Sequence, residues 1–347
     1  MLSLASPHPL HRLEFFHHQS NKKISFRCAK ISHNKLDSPC WSSRFSGSWN
    51  LLSSRRRFHA QSPRTEGDLT ESIQVSEERI ISSTKAESPA NSFLSVLCPL
   101  LKLFGGRDPS QERNEYLEVA TSSLSSLARF PWGSKALSGI SRTNPLHLQL
   151  YEFEACPFCR RVREAMTELD LSVEVYPCPK GSLRHREIVR KIGGKELFPF
   201  LVDLNTGISM YESGDIVKYL FQQYGQGTNP TFGLLESTLF TGWVPTLLRA
   251  GRGMTLWHRA GLEPSKKLKL FSYENNAYAR LVREALCELE MPYILHNVGE
   301  GSSNSELLLK ASGSKEVPYL IDPNTGFRLG DYKKILSYLF QTYSTSS

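Results

Sequence analysis

One stretch near the middle of the 347-residue chain decides the fold, and over residues 148–171 it reads LQLYEFEACPFCRRVREAMTELDL. Apolar and polar residues alternate from Leu148 to Phe153, the period expected of a β-strand. A helix is predicted from about Pro157 to Leu169, because proline is favoured at the first helical position, where an N–H has no intrahelical partner. The stretch therefore predicts a strand that leads directly into a helix.

The stretch recurs 120 residues later as LKLFSYENNAYARLVREALCELEM, residues 268–291, without a gap. The likeness resumes at an offset of 119, where FPFLVD at 198–203 matches VPYLID at 317–322. Self-similarity at a nearly fixed spacing indicates an internal repeat. The sequence therefore predicts two copies of one domain, at residues 147–224 and 267–343.

The order of elements within one copy follows from hydrophobic periodicity and turn residues. After the first helix we predict a strand, a helix, a hairpin and a last helix, at residues 173–176, 182–192, 200–211 and 213–223. The order β-α-β-α-β-β-α places both copies in the α/β class.

The reactive residues of the first copy are predicted at its first turn, where Cys156 and Cys159 frame the start of the helix. Unpaired N–H groups and the partial positive charge of a helix N-terminus favour a thiolate at Cys156. Arg160 adds positive charge nearby. Cys159 lies one helical turn further on, close enough to resolve a mixed disulfide formed at Cys156.

Pro199 is the second feature of this predicted site. A proline that follows an apolar residue at the start of a strand indicates a cis peptide bond. A cis Phe198–Pro199 bond would set a backbone edge against the cysteine pair, where a peptide-like thiol could pair with it.

With these residues in place, residues 147–224 resemble a glutaredoxin or the N-terminal domain of a glutathione S-transferase, both of the thioredoxin fold. The sequence Cys156-Pro157-Phe158-Cys159 is similar to the glutaredoxin Cys-Pro-Tyr-Cys, with phenylalanine in place of tyrosine. It also resembles the glutaredoxin-like domain of the second type of membrane-associated prostaglandin E synthase. The tandem arrangement as a whole resembles plant plastid thioredoxin-superfamily proteins.

The resemblance implies a glutathione site. Pro199 matches the cis-proline of the family, and the backbone of Phe198 matches the residue that pairs with the cysteinyl part of glutathione. Glu212 and Ser213 resemble the pair that holds its γ-glutamyl end.

The function implied is that of a glutathione-dependent thiol–disulfide oxidoreductase in plastid redox homeostasis, with Cys156 as the nucleophile and Cys159 resolving. Glutathione would be the co-substrate, and the partners would be disulfide-bearing small molecules or proteins. Two alternatives remain: a glutathione-binding isomerase or transferase of the prostaglandin-synthase type, and a non-catalytic scaffold. The oligomeric state stays open.

Other interpretations of the cysteine pair are weaker. Two small buried residues, an iron–sulfur cluster shared between chains, and a zinc site are possible, but zinc needs about four ligands and one CxxC supplies two. No metal is therefore expected. Cys178 and Cys287 are expected to be bystanders, the latter a buried apolar thiol, and the sequence assigns no part to Cys98.

The second copy departs from the pattern. Asn276 stands at the position of Cys156, Ala279 at that of Cys159, and Asp331-Tyr332 at that of the Glu-Ser pair, while Pro318 persists. We expect a domain that keeps the fold and has lost the redox chemistry.

The positive charge of the chain is concentrated at its N-terminus. Residues 1–64 contain 11 Lys or Arg and two acids, a net of +9, which leaves −1 for the rest of a chain whose total is +8. A nearly neutral body excludes a nucleic-acid-binding function.

The basic, acid-poor composition of residues 1–64 predicts a transit peptide, to the chloroplast or alternatively the mitochondrion. A basic tail of a cytosolic protein is the other interpretation. Residues 65–91 are a predicted disordered spacer.

Two segments remain. Residues 92–146 are predicted as a helical segment and linker. Their apolar stretch 93–104 is too short to span a bilayer, and packing on the protein body is favoured over peripheral membrane contact. Residues 225–266 are predicted as an interdomain linker. These 42 residues are too few for the helical domain with which a glutathione transferase holds its electrophile.

Overall fold

The computed structural model describes residues 108–111, 114–138 and 147–345. All of them belong to one compact unit, Ala86–Ser347. The predictions for residues 1–91 and for the apolar stretch 93–104 lie outside the described residues. None of the described helices is long and apolar enough to cross a membrane.

The first domain has the predicted order of elements. It consists of β1 (Leu148–Glu152), α2 (Pro157–Glu168), β2 (Val173–Pro177), α3 (His185–Gly193), β3 (Phe200–Asp203), β4 (Ile208–Met210) and α4 (Ser213–Tyr224), and it is preceded by α1 (Glu115–Ala128). Helix α3 ends where Gly194 adopts a left-handed φ of 78°, as expected of a helix-terminating glycine.

The second domain repeats this order. A 3₁₀ turn (Ser237–Leu239) and the short helix α5 (Val244–Leu248) come first. They are followed by β5 (Leu268–Ser272), α6 (Ala277–Glu288), β6 (Tyr293–Asn297), α7 (Ser305–Ser312), β7 (Tyr319–Ile321), β8 (Arg328–Leu329) and α8 (Tyr332–Thr342). Each domain has the thioredoxin fold, and the tandem α/β prediction is confirmed.

The two domains share one eight-stranded sheet of order β4-β3-β1-β2-β6-β5-β7-β8. They join where β2 pairs antiparallel with β6, with Glu174 opposite Ile294. Within each domain the first two strands are parallel and the third is antiparallel to the first. A single apolar core runs beneath both halves of the sheet, so the domains are packed as the halves of one body.

The segment that precedes each domain makes a contact with the other domain. We call residues 114–138 the first arm and residues 234–257 the second arm. The N–H of Ala136 in the first arm donates to Glu300 O in the second domain at 2.8 Å. The N–H of Leu256 in the second arm donates to Lys180 O in the first domain at 2.9 Å. These are the same contact at an offset of 120 residues, so the repeat includes the arms.

Two glycines lie where the arms cross the other domain. Gly133 and Gly253 both have left-handed φ values, 68° and 72°. A Cβ on Gly133 would lie 3.0 Å from the side chain of Glu274, and one on Gly253 would lie 2.7 Å from that of Glu154. Each arm therefore crosses the opposite domain at a point where no side chain fits.

Residues 130–138 and 225–266 thus pack against the domains as well as connecting them. Residues 130–138, the described end of the predicted helical segment and linker 92–146, lie against the second domain, and the predicted interdomain linker contains the second arm. The predicted domain boundaries themselves stay predictions.

Candidate functional site

The sequence places Cys156 at the start of α2, and the structure makes it the residue that caps this helix. Its extended backbone (φ −75°, ψ 121°) leads into Pro157, the first helical residue. Its sulfur accepts a hydrogen bond from the backbone N–H of Cys159 at 3.3 Å. A cap position leaves the sulfur facing the unpaired N–H groups of the first turn, which is the environment predicted for a thiolate.

The pKa values of the two cysteines are shifted in opposite directions. Burial acts to raise the pKa of Cys156, but hydrogen bonds from Cys159 and from the backbone of Phe158 outweigh it, and the pKa is lowered. The pKa of Cys159 is raised well above its ordinary value by burial and by its hydrogen bond to Cys156. This division supports one sulfur as thiolate and the other as thiol.

The Phe198–Pro199 bond is cis, as predicted. Among the described residues, no hydrogen bond is formed by the backbone N–H or C=O of Phe198. Its ring meets that of Phe153 edge-on, with centroids 6.1 Å apart, and both belong to the apolar cluster around the cysteines. An unpaired backbone edge therefore lies beside the cysteine pair.

Cys156 is nevertheless covered, with 1% of its surface exposed. The second arm forms part of the cover. Thr246 Oγ1 donates to Ala155 O at 2.5 Å, Met254 joins the cluster around the sulfurs, and the Trp243 ring meets Phe158 edge-on at 6.3 Å. The cysteine pair therefore lies at a closed interface between the first domain and the second arm.

Arg160 is held by contacts that the sequence did not predict. Its guanidinium is buried and donates to the backbone oxygens of Gly242 at 2.9 Å and Glu154 at 3.4 Å. It fixes the second arm in place. The pKa of Cys156 is lowered by the hydrogen bonds of its own helix turn, so Arg160 is a positioning residue of the cover.

Glu212 and Ser213 lie at the start of α4. Glu212 is exposed and has a left-handed φ of 64°. Ser213 is buried, is the first residue of the helix, and accepts a hydrogen bond from Arg161 Nη1 at 3.3 Å. The Glu212 carboxylate faces solvent, whereas the Ser213 hydroxyl is already engaged.

A network of buried charges lies under the site, where α2 and α6 face each other. Arg163 of the first domain pairs with Glu154 at 3.0 Å and with Glu274 of the second at 2.7 Å. Its counterpart Arg283 pairs with the same two carboxylates, at 3.1 Å each. All four side chains are almost fully buried. Because removing one partner leaves the others uncompensated, this network ties the two domains together.

The arms extend the network. Arg129 of the first arm donates to Glu164 of α2 at 2.8 Å, and Arg249 of the second arm donates to Glu284 of α6 at 2.9 Å. Arg249 and Glu284 stand 120 residues after Arg129 and Glu164. The contacts show that each arm is anchored by an arginine to a glutamate on a first helix.

The second domain has the same backbone arrangement without sulfur. Asn276 caps α6 as Cys156 caps α2, and its Oδ1 accepts from the N–H of Ala279 at 2.8 Å. The Val317–Pro318 bond is also cis. A cleft of about 890 Å³ opens here, and Tyr278 and Tyr332 line it. The domain that lacks the cysteine pair therefore has an open cleft at the corresponding place.

Two further cysteines are buried near the site. Cys287 of α6 belongs to the apolar cluster of Cys156, and its S–H donates to Gly253 O at 3.1 Å. Burial raises the pKa of both Cys287 and Cys178 well above the ordinary value. They have the character of buried apolar thiols. Within the described ranges, no group of three or more His, Cys, Asp or Glu side chains is placed to hold a metal ion.

Comparison with known proteins supports the tandem fold. Residues 150–229 and 270–347 both match the sequence model of the family described as glutathione S-transferase, N-terminal domain. Among solved structures the chain is similar to a trimeric glutathione transferase from Leishmania, with 16% identity and a TM-score of 0.22 over 59% of this chain and 68% of that chain. No curated protein sequence matches the chain.

Sequence reasoning missed the cover. The decisive residues are Trp243, Thr246 and Met254, which lie in a segment without a long periodic pattern. One signal was present: Arg129 and Arg249 are identical at the same offset as the rest of the repeat. Extending the alignment upstream from the strands would have assigned the arms to the repeat.

Proposed function

We propose that the first domain is a glutathione-dependent thiol–disulfide oxidoreductase, with Cys156 as the nucleophile and Cys159 as the resolving thiol. The observation that carries the proposal is the position of Cys156 at the cap of α2, where its sulfur accepts a hydrogen bond from the backbone N–H of Cys159 at 3.3 Å. A thiolate is the attacking species in disulfide exchange, and a neighbouring neutral thiol can follow it.

The reaction begins when the Cys156 thiolate attacks the glutathionyl sulfur of a mixed disulfide. The substrate sulfur leaves and takes up a proton, and a disulfide forms between Cys156 and glutathione. A second glutathione thiolate then attacks the glutathionyl sulfur, which releases oxidised glutathione and restores Cys156. With a protein disulfide, Cys159 performs the second attack instead. In the first route one glutathione is consumed, because the other half of the oxidised glutathione comes from the substrate. In the second route the attack by Cys159 releases the protein thiol and leaves a Cys156–Cys159 disulfide, which two molecules of glutathione reduce while they become oxidised glutathione.

The free backbone edge at Phe198 supports this proposal. A cysteinyl peptide lying against it would pair with the N–H and C=O of Phe198 and bring its sulfur to the cysteine pair. Glu212 is exposed at the start of α4 and would meet the amino group at the γ-glutamyl end. Ser213 would have to exchange its bond from Arg161 for a bond to the ligand.

Because Cys156 is covered, the proposed reaction requires the site to open. A sulfur with 1% of its surface exposed cannot meet a disulfide, so the second arm must move during the reaction. The arm has few apolar anchors over the site, mainly Trp243 and Met254. The arm is also held by buried hydrogen bonds, from Arg160 to Gly242 O and from Thr246 to Ala155 O, so its opening has to break these bonds as well.

The same burial favours a second candidate, a non-catalytic scaffold in which the first domain is closed and the open cleft of the second domain binds a partner. The isomerase or transferase alternative would use the apolar cluster around Cys156 as its pocket. The chloroplast, with the mitochondrion as the alternative, remains the proposed location, on the composition of residues 1–64.

The test is glutathione-dependent reduction of a small mixed disulfide by the full chain, beside Cys156→Ser and Asn276→Ser. The oxidoreductase proposal predicts turnover that Cys156→Ser abolishes and Asn276→Ser retains. Absence of turnover in a folded protein would overturn it and favour the scaffold. Activity that survives Cys156→Ser would place the chemistry elsewhere.

A further inference from the structure

Helix α1 of the first arm is inverted, because its polar side chains face the protein and its large apolar ones face outward. Ser122 and Ser125 are buried, and Ser122 Oγ donates to the backbone oxygen of Ala277 in α6 at 2.7 Å. The leucines of the same helix are all more than half exposed: Leu117, Leu124 and Leu127. A surface helix normally turns its apolar side chains toward the core. The helix therefore presents an apolar stripe that the described part of the chain does not cover.

Polar contacts fix this orientation of α1. At the end of the helix, Arg129 donates to the buried carboxylate of Glu164 at 2.8 Å. In its last turn, Ser126 Oγ accepts from Arg280 of α6 at 3.4 Å. Rolling the helix over to bury its leucines would break both contacts and leave a buried carboxylate without its partner, which is strongly unfavourable. The leucines are therefore available only to something that covers them from outside.

The uncovered surface is large enough for a stable interface. Its large apolar side chains are 52–86% exposed: Tyr116, Leu117, Leu124, Leu127 and Phe130. Together they expose on the order of 700 Å², more than the roughly 300–600 Å² of the largest apolar patch on a typical monomer. Each partner in a standard protein–protein interface contributes about 800 Å². The stripe therefore supplies nearly one side of such an interface.

The stripe is also complementary to itself. Its outward positions 117, 120, 123, 124, 127 and 130 carry Leu, Ala, Ser, Leu, Leu and Phe. If two copies run antiparallel about a two-fold axis between positions 123 and 124, Ala120 of each copy lies opposite Leu127 of the other. Ser123 then lies opposite Leu124. A small side chain faces a large one at both places, and none of the six positions brings like charges together across the axis.

We propose that this stripe is the interface of a two-fold symmetric homodimer, in which the α1 helices of two copies of this chain pack antiparallel. Burial of the exposed leucines drives the association. The alternation of small and large side chains about one point favours a second copy over an unrelated partner, because only an identical stripe has the matching alternation. The dimer does not depend on the chemistry at Cys156.

The experiment is sedimentation velocity of the full chain at micromolar concentration, where we expect a particle with twice the mass of one chain. Leu124→Glu places a carboxylate beside the axis in each copy and should weaken dimerisation at least tenfold, because two like charges approach there. Leu307→Glu changes an exposed leucine of α7 and should leave the dimer intact. Since Leu124 and Leu307 are both exposed, both variants should keep the far-ultraviolet circular dichroism of the wild type.

Two results would overturn the proposal. A monomeric wild-type chain would show that residues 93–104 of the same chain, or a different partner, cover the stripe. A dimer that Leu124→Glu leaves as stable as before would place the contact between copies elsewhere.

Cysteine cross-linking tests the antiparallel alignment. Ser123→Cys puts a thiol beside the axis in each copy, where copper phenanthroline should oxidise the pair to a disulfide. Leu117→Cys is the matched control, because its two copies would lie roughly 20 Å apart along the helix axis. On a non-reducing gel we expect a covalent dimer from Ser123→Cys and none from Leu117→Cys or the wild type. A covalent dimer from Leu117→Cys would indicate a parallel arrangement and contradict the proposal.

Discussion

The two halves of the sheet share their order of elements and differ at the start of one helix. In the first half, Cys156 caps the helix and is covered; in the second, Asn276 caps it beside an open cleft. The arms differ at two matching positions, where Trp243 and Met254 of the second arm correspond to Ser123 and Ser134 of the first arm. The fold tolerates either surface because the cis-proline, the cap and the buried arginines are kept. The comparison teaches that the cap residue and the access to it can both change while this fold is kept.

The largest effect is expected from breaking the charge network that the halves share. Arg163→Met leaves Glu154 and Glu274 with one arginine fewer and should lower the free energy of unfolding by about 3–5 kcal/mol. Arg283→Met should cost less, because Arg163 also pairs with Glu152. Denaturant unfolding measures both. A cost below about 1 kcal/mol for either variant would show that the network does not join the halves.

The next effect concerns Glu168 and Glu288, which stand at matching positions in the two halves. Glu168 accepts a hydrogen bond from Thr231, and burial raises its pKa to about 7. A glutamate has a lower pKa in the unfolded chain, so the folded protein holds this proton longer. The free energy of unfolding therefore falls as the pH rises between about 4.5 and 7, and the loss is complete above that range.

Glu168→Gln should abolish this loss. At pH 8 the variant should be more stable than the wild type by on the order of 2 kcal/mol, and at pH 4 the two should agree. The control is Glu288→Gln, whose wild-type carboxylate pairs with Arg252 at 2.6 Å, and which should be destabilised at pH 8. Denaturant unfolding at both pH values gives the result; a Glu168→Gln protein that is less stable at pH 8 would contradict it.

Opening the cover should expose the nucleophile. Trp243→Ser with Met254→Ser gives the second arm the residues of the first arm. The rate at which iodoacetamide modifies Cys156 should rise at least tenfold, because the sulfur gains access to solvent. Phe240→Ser changes an exposed side chain of the same arm and is the control. Equal rates in the wild type and the double variant would show that other residues close the site.

The smallest effect concerns the thiolate itself. Cys159→Ala introduces the residue of the second domain and removes the side-chain hydrogen bond to Cys156. The pKa of Cys156, read from the pH dependence of its alkylation, should then rise, because one of the interactions that lower it is lost. An unchanged midpoint would mean that the backbone donors alone hold the thiolate.

Much of each domain could be predicted from local patterns. The alternating residues at 148–153, the proline after Cys156 and the glycines at the end of α3 determine these elements through neighbours in sequence. The cis bond before Pro199 was predictable because a proline that follows an apolar residue at a strand start is unusual with a trans bond.

The cover was not predictable in this way. Helix α5 has five residues, too few to show a period, and its contact with Ala155 joins residues 91 positions apart. The acceptors of Arg160 were not predictable for the same reason. Its sequence neighbours suggest a thiolate partner, whereas its actual acceptor, Gly242, lies 82 positions away.

The most direct test of the account is to trap the first intermediate. The full-length Cys159→Ser protein is treated with oxidised glutathione, and the modified cysteine is identified by mass spectrometry of its peptides. The account predicts a glutathione adduct on Cys156, formed faster when Trp243 and Met254 are also replaced by serine, with Cys178 and Cys287 unmodified. An unmodified Cys156 in both proteins, or an adduct on Cys287 instead, would contradict it.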